Sequence, residues 1–313
     1  MSSQTSSNPL LQQGKHKVTA NGIELAYEVR GQGPLLVWHP GGPGMKIQGY
    51  PGYEVMSESF TVVYLDPRGV GESAQLVKTP DVRVKNPMDL DIPGSEAYTL
   101  SNYSDDLAAL QRLWGLEKIN LAGHSHGGFV VLDYATRYPE MVGNLVVVGS
   151  AGAVRFDHPQ YEVRRKPKME TEAYKRYLKL YEEKEAAGLT PLDWYKYGLM
   201  LQFTIDIHDF ERHEERLSAA LNALDDSGLS FVPAYHFEKF DVKNYDMRSR
   251  YQDITARVLF IQGRQETLFF PEDIEEAVSQ IADARVVWIE ECAHMPMTEQ
   301  PQALMKALQS FIK

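Results

Sequence analysis

One serine of the chain lies in a sequence context that exposes serine hydroxyls in enzymes. Residues 123–127 read GHSHG, with Ser125 at their centre, between the apolar run INLA and the helical pattern FVVLDYA. A G-x-S-x-G segment between a strand and a helix forms a strained turn that presents the hydroxyl. The turn also sets Ser125 at a helix N-terminus, where the backbone N–H of His126 would face an oxyanion. The pattern therefore predicts Ser125 as a nucleophile and His126 as an oxyanion donor.

A serine nucleophile needs a base and a group that orients the base, because the hydroxyl reacts poorly near neutral pH. His294 lies in the loop between the last predicted strand and the last predicted helix, and Glu266 follows the strand RVLFIQG. Nucleophile, acid and histidine occur in this chain order in a large class of serine hydrolases. We predict His294 as the base and Glu266 as the orienting acid. Glu272 and Asp273 rank second, since acids are common in the first turn of a helix.

A second oxyanion donor is predicted in the segment HPGGPG, residues 39–44, which follows the run PLLVW. Glycines allow the backbone to approach a reacting carbonyl closely, and Gly42, which precedes Pro43, still has an N–H to donate. Without the serine motif this segment would be interpreted as an ordinary turn. Together with that motif it predicts an oxyanion hole formed by Gly42 and His126.

The elements that must position these residues follow from hydrophobic periodicity. Short apolar runs such as PLLVWH, TVVYLDP, INLAGHS and NLVVVGS alternate with helical patterns, and RVLFIQG and ARVVWIE continue the series near the C-terminus. Such runs are typical of strands that are buried on both faces of a parallel sheet. The alternation predicts an α/β protein whose mostly parallel sheet is flanked by helices.

The strand pattern is interrupted over residues 154–250, which contain charged, tyrosine-rich helical stretches. We predict an inserted helical cap over the strand ends, where open α/β sheets bind ligands. The predicted organisation has four parts: a mobile N-terminal tail (1–15), the first part of the core (16–153), the cap (154–250) and the second part of the core (251–313).

Composition excludes several classes of partner. The chain has 43 acidic and 32 basic residues, a formal net charge of -11, which disfavours nucleic acid because such binding depends on clustered Lys and Arg. No window is apolar for the ~20 residues of a membrane span, and the first residues lack a secretory signal. The single cysteine, Cys292, fits a reducing compartment. We predict a cytoplasmic protein with a small-molecule substrate and no nucleic-acid or membrane partner, and leave its oligomeric state open.

Other chemistry has weaker support in the sequence. The pair His124 and His126 lacks further ligands nearby, so we predict no metal, and the glycine segments lack dinucleotide or phosphate-loop spacing, so we predict no cofactor. Cys292 fits a small buried residue better than a nucleophile. Three cap glutamates offer a carboxylate for a substrate amino group but equally fit an ordinary helix surface: Glu211, Glu214 and Glu215.

Four segments together resemble the prolyl iminopeptidase (S33-like) group of α/β hydrolases: WHPGGPG, DPRGVGES at 66–73, the serine motif and the C-terminal Glu/His pair. The resemblance covers roughly residues 17–150 and 253–313 and leaves the cap aside. It implies an α/β-hydrolase fold, with the triad and oxyanion donors of that group at these positions: Ser125, Glu266, His294, Gly42 and His126.

The chain departs from that group at three positions. A proline follows His39, the serine motif reads GHSHGG instead of G-G-S-W-G, and Glu266 stands where Asp is usual. A longer acid still orients a histidine, whereas the residue after the nucleophile touches the pocket. The leading prediction is therefore a serine hydrolase that cleaves a small-molecule ester, lactone or amide through an acyl-enzyme. The alternatives are a prolyl iminopeptidase and, in another class, a non-hydrolytic lyase or ligand receptor on the same fold.

Overall fold

The computed structural model describes residues 8–224 and 227–313. Within them, eight strands form one sheet: β1 (Gly14–Ala20), β2 (Ile23–Arg30), β3 (Leu35–His39), β4 (Thr61–Asp66), β5 (Ile119–His124), β6 (Val142–Val148), β7 (Arg257–Gly263) and β8 (Ala284–Ile289). The order across the sheet is β1-β2-β4-β3-β5-β6-β7-β8. The β1–β2 and β2–β4 pairs are antiparallel and the other pairs are parallel. The predicted fold class is confirmed.

Ten α-helices accompany the sheet in the described residues. They are α1 (Leu100–Leu113), α2 (His126–Arg137), α3 (Pro159–Met169), α4 (Glu172–Ala186), α5 (Pro191–Asp206), α6 (Phe210–Ala223), α7 (Phe231–His236), α8 (Pro271–Gln280), α9 (Pro296–Glu299) and α10 (Pro301–Phe311). A π-helical turn, Phe237–Asp241, continues α7. None of these helices is long and apolar enough to cross a membrane.

The central strands are buried because helices cover both faces of the sheet. Val37, Leu121, Val146 and Leu259, one from each of four neighbouring strands, have no exposed surface. This explains why the sequence of these strands is continuously apolar rather than alternating. Only β1, at the edge, has mostly exposed residues.

The strand order brings two loops together at one edge of the sheet. Strand β3 lies between β4 and β5, so the chain reverses its direction of progress across the sheet there, and His39 pairs with Gly123. At such a reversal the loops after neighbouring strands diverge and leave a crevice at the carboxyl ends. The loop after β3 and the turn after β5 are the segments from which the oxyanion donors and the nucleophile were predicted.

Helices α3 to α7 and the π-turn occupy the segment predicted as a cap, between β6 and β7. Its boundaries as a separate unit stay a prediction. The predicted mobile tail spans residues 1–15. Residues 1–7 lie outside the described residues, whereas residues 8–15 are held by contacts with the rest of the chain. Pro9–Leu11 form a 3-10 turn, the Asn8 amide donates to the main-chain oxygen of Trp114 (2.8 Å), and β1 begins at Gly14. Burial of Leu11 against the core holds this segment.

Candidate active site

Ser125 lies in the turn between β5 and α2 with a φ of 51°. A non-glycine residue rarely adopts this left-handed conformation, which is strained. The Ser125 N–H donates to the main-chain oxygen of Val148 (2.9 Å), so the sheet fixes the turn. Gly127 lets the start of α2 pass the main-chain oxygens of His39 and Pro40, because a Cβ would have no room there. The glycines of the motif are thus required by close backbone approach.

Three predicted residues form a continuous hydrogen-bonded chain. The Nε2 atom of His294 lies 2.9 Å from Oγ of Ser125, and its Nδ1 atom lies 2.9 Å from Oε2 of Glu266. An ionised carboxylate can only accept, so Nδ1 carries the ring proton and Nε2 accepts from the serine hydroxyl. This is the arrangement in which a histidine can take the proton of a serine nucleophile.

The loop that carries His294 is held from two sides. The Glu299 carboxylate accepts the N–H groups of Ala293 (3.1 Å) and Met295 (3.0 Å), which flank the histidine. The ring of His124 donates from Nε2 to the main-chain oxygen of His294 (2.8 Å). Both contacts fix the main chain, so the imidazole has one position relative to the serine turn.

The Glu266 carboxylate is completely buried in the loop after β7. Its Oε1 atom accepts the N–H groups of Thr267 (2.8 Å) and Leu268 (3.0 Å), which leaves Oε2 for the histidine. The two acids ranked second, Glu272 and Asp273, do not contact His294 in the described residues. Asp273 accepts a main-chain N–H at the start of α8 (2.9 Å), and Glu272 is exposed beside it.

The loop after β3 passes directly beside the nucleophile. A Cβ on Gly41 would lie 3.0 Å from the Cβ of Ser125, and a Cβ on Gly42, whose φ is +52°, would lie 2.7 Å from Oη of Tyr50. Within the described part of the chain, the N–H groups of Gly42 and His126 have no hydrogen-bond acceptor. Two main-chain N–H groups without an acceptor therefore lie near Ser125, one from each predicted segment.

Carboxylates decide the charge of His294. Burial by itself lowers the pKa of this histidine, but the charge and hydrogen bond of Glu266, with smaller contributions from Asp206 and Glu299, raise it above its usual value of 6.5 overall. The protonated form, which arises when the base accepts the serine proton, is thus stabilised. Glu266 both orients the imidazole and supports its positive charge.

The other histidines around Ser125 are neutral. Burial lowers the pKa of His39 to about 4 and that of His124 to about 3, and it lowers the pKa of His126 well below the usual value. None of the three has an acidic side chain within hydrogen-bonding distance. Among these four imidazoles, His294 alone can hold a proton in the neutral range.

Aromatic side chains from the segment between β6 and β7 pack against residues that follow the nucleophile and against the oxyanion loop. The Phe237 ring, in the π-turn, lies 4.9 Å from that of His126, centroid to centroid, and contacts Phe129 at 5.7 Å. The Tyr195 hydroxyl of α5 donates to the main-chain oxygen of Pro43 (2.6 Å), next to the oxyanion loop. Rings from α5 and the π-turn therefore lie next to the two segments predicted to form the oxyanion hole.

A carboxylate of the π-turn was missed by the sequence analysis. The Glu238 side chain is exposed to solvent, although the protein atoms around it raise its pKa by partial desolvation. Its charge also acts on the phenols of Tyr161 and Tyr195. Of the three glutamates that the sequence offered on α6, Glu214 pairs with Arg176 (2.6 Å), and Glu211 and Glu215 are exposed. No motif marks Glu238, because the π-turn sets the direction of its side chain.

Two alternatives weighed from the sequence were a cysteine nucleophile and a metal site. The Cys292 thiol is buried, and burial raises its pKa far above the usual value, so it is not a reactive thiolate. Within residues 8–224 and 227–313, no group of three or more His, Cys, Asp or Glu side chains is arranged to hold a metal ion.

Comparison with known proteins identifies the class. The family described as "alpha/beta hydrolase fold" matches residues 34–301, so the chain belongs to the alpha/beta hydrolase fold family. The predicted family and the assignment to its hydrolase enzymes are confirmed.

Individual relatives are distant and differ in their described activities. The chain is 20% identical over 304 residues to the proline iminopeptidase PfmaB of Pestalotiopsis fici, covering 95% of this chain and 98% of the relative. It superposes on a proline iminopeptidase of Mycobacterium smegmatis with a TM-score of 0.68 at 19% identity, covering 96% and 97% of the two chains. The enol-lactonase of Burkholderia xenovorans LB400 gives a TM-score of 0.62 at 18% identity, with 95% and 99% covered.

Proposed function

We propose that this protein is a serine hydrolase that cleaves a small-molecule carboxylic ester, lactone or amide through an acyl-enzyme at Ser125. The observation that carries the proposal is the hydrogen-bonded chain from Ser125 through His294 to Glu266, with 2.9 Å at both steps. The N–H groups of Gly42 and His126, which have no acceptor within the described residues, support it further.

The reaction proceeds in two halves. Ser125 Oγ attacks the carbonyl carbon while its proton passes to Nε2 of His294, and the Gly42 and His126 N–H groups hold the oxyanion. The intermediate collapses, the bond to the leaving group breaks, and His294 returns the proton to that group. A water then gives a proton to His294, attacks the acyl carbon and releases the acid with regeneration of Ser125. The Glu266 carboxylate accepts from Nδ1 and supports the imidazolium.

A second candidate is a prolyl iminopeptidase that releases an N-terminal proline. The exposed Glu238 carboxylate, whose charge acts on Tyr195 next to the oxyanion loop, would offer a partner for the amino group of such a substrate. The described activity of the relatives PfmaB and the M. smegmatis protein points the same way.

A fluorophosphonate probe tests the mechanism. We expect labelling of Ser125, located by mass spectrometry, loss of labelling in Ser125→Ala and full labelling in Ser249→Ala, an exposed serine in a 3-10 turn. Turnover of p-nitrophenyl esters or lactones supports the leading candidate, and turnover of proline arylamides without esters supports the second. Absence of labelling in the folded wild type would refute both and favour the lyase or receptor alternatives. The predicted small-molecule substrate is examined by the same panel, and the cytoplasmic location stays a prediction.

A further inference from the structure

Asp206, the last residue of α5, is buried at the back of the His294–Glu266 pair. Its main-chain oxygen accepts the N–H of His294 (3.0 Å), and its Oδ1 atom accepts the hydroxyl of Thr267 (2.8 Å). Oδ1 also accepts from Nη1 of Arg165 (3.1 Å), and Oδ2 accepts from the amide of Gln202 (2.6 Å). One residue thus contacts the base and the neighbour of the acid, and both of its carboxylate oxygens are used.

The contacts continue to Glu266. Thr267, which binds Asp206 through its hydroxyl, donates its main-chain N–H to Oε1 of Glu266 (2.8 Å). Arg164, the neighbour of Arg165 on α3, donates to the main-chain oxygen of Glu266 (2.9 Å). Helices α3 and α5 therefore hold the segment that carries the acid as well as the loop that carries the base.

Charge gives this network a second effect. The side chains of Arg165 and Asp206 are 10% and 4% exposed, so water screens their charges weakly. The Asp206 carboxylate raises the pKa of His294, in the same direction as Glu266 and Glu299. Arg165 partly offsets that carboxylate, since it lies at hydrogen-bonding distance from it. The titratable groups that face His294, by element, are Glu266 (loop after β7), Asp206 (α5), Glu299 (α9), His124 (β5) and Cys292 (loop after β8).

We propose that Asp206 is a positioning residue for the His294–Glu266 pair and that Arg165 is its counter-ion, so that helices α3 and α5 complete the catalytic pair from outside the core. This inference rests on the proposed function, since it assumes that His294 acts as the base. If Asp206 and Arg165 only filled space, variants of similar shape without the charge would leave the titration of His294 unchanged. If their charges act on the His294–Glu266 pair, Asp206→Asn and Arg165→Met should both shift that titration.

The two variants should move the titration of His294 in opposite directions. Asp206→Asn removes a negative charge near the imidazole and should lower its pKa by about 1 unit, whereas Arg165→Met leaves that charge unbalanced and should raise it by about 1 unit. Asp209→Asn, an exposed capping residue three positions on, is the matched control and should leave the pKa of His294 in place.

The titration is measured in two ways. NMR follows the ring protons of His294 against pH without any substrate, and the pH dependence of kcat/KM on a p-nitrophenyl ester follows the same group during catalysis. Shifts of opposite sign in Asp206→Asn and Arg165→Met support the proposal. Shifts of the same sign, or none beyond that of Asp209→Asn, overturn it.

A variant that fails to fold does not block the test. Each single variant leaves a buried charge unpaired and should lose stability: the Asp206 carboxylate in Arg165→Met and the Arg165 guanidinium in Asp206→Asn. The double variant removes both charges, and its His294 should titrate at a higher pH than that of Asp206→Asn alone. An equal pKa in these two proteins also overturns the proposal. Failure of the proposed function is distinguishable, because it appears in the wild type as an unlabelled Ser125, whereas the NMR titration needs no turnover.

Discussion

Substitution of Gly42 by alanine tests the oxyanion hole at the level of single atoms. The φ of Gly42 is +52°, and an added Cβ would lie 2.7 Å from Oη of Tyr50 and 3.1 Å from Cε of Met45. The loop must therefore shift or the Tyr50 ring must move. Because the Tyr50 ring is buried, a shift of the loop is favoured, and it displaces the N–H that we expect to bind the oxyanion, while the Ser125–His294 hydrogen bond lies outside the substituted residue.

The magnitude follows from two contributions. Loss of one oxyanion donor lowers kcat by about 10²–10³-fold, so a displaced N–H should reduce kcat toward that range with little change in KM. An L-residue in the left-handed region adds a cost of roughly 1–2 kcal/mol to the folded state. Tyr50→Phe in the same chain removes the oxygen nearest to the new Cβ, so the double variant should regain part of kcat but not the backbone cost.

Steady-state kinetics on a p-nitrophenyl ester and urea unfolding measure both contributions separately. Gly115→Ala is the matched control, because Gly115 has a φ of +67° and nothing within 4 Å of an added Cβ. It should lose stability of the same order, roughly 1–2 kcal/mol, with kcat intact. A Gly42→Ala protein with wild-type kcat would refute the assignment of Gly42 as an oxyanion donor.

Three further predictions follow from the pKa shifts and from a buried ion pair. Only neutral His294 can act as the base, and its carboxylate neighbours raise its pKa. The plot of kcat/KM against pH should therefore rise with pH, with the midpoint of the rise above pH 6.5. A midpoint below pH 6.5 in the wild type would contradict this electrostatic argument. Burial lowers the pKa of His39 to about 4, so between pH 6.5 and 4 the unfolded chain binds a proton that the folded protein does not, and stability falls as pH falls. Relative to His39→Phe, the wild type should lose about 1.4 kcal/mol of unfolding free energy per pH unit in that window, measured by urea titration at each pH; parallel pH profiles would be inconsistent with a neutral His39. Arg68 binds the buried Asp106 through Nε (2.7 Å) and Nη2 (2.6 Å). Arg68→Met should therefore lower the free energy of unfolding by about 3–5 kcal/mol, because it leaves a buried carboxylate unpaired. A loss below about 1 kcal/mol in the same unfolding assay would show that water or another cation replaces the arginine.

The sequence was most informative where a local pattern encodes a backbone requirement. Continuous apolar runs predicted the parallel strands because burial on both faces excludes polar residues. The glycines around Ser125 predicted the turn because a Cβ on Gly123 or Gly127 would meet main-chain atoms. The same reasoning failed at residues 8–15, where a polar sequence suggested a free tail, since contacts with Trp114 and burial of Leu11 come from distant parts of the chain.

The sequence by itself therefore determined the fold class, the nucleophile turn and the loops from which a base, an acid and an oxyanion donor were predicted, because each is marked by residues close together in the chain. Only the tertiary structure decided that Ser125 and His294, 169 positions apart, lie within a hydrogen bond of each other. It also decided that the main-chain oxygen of Asp206 accepts the N–H of His294 (3.0 Å). Those contacts depend on how loops and helices pack above the sheet, and no periodicity or short motif records that packing.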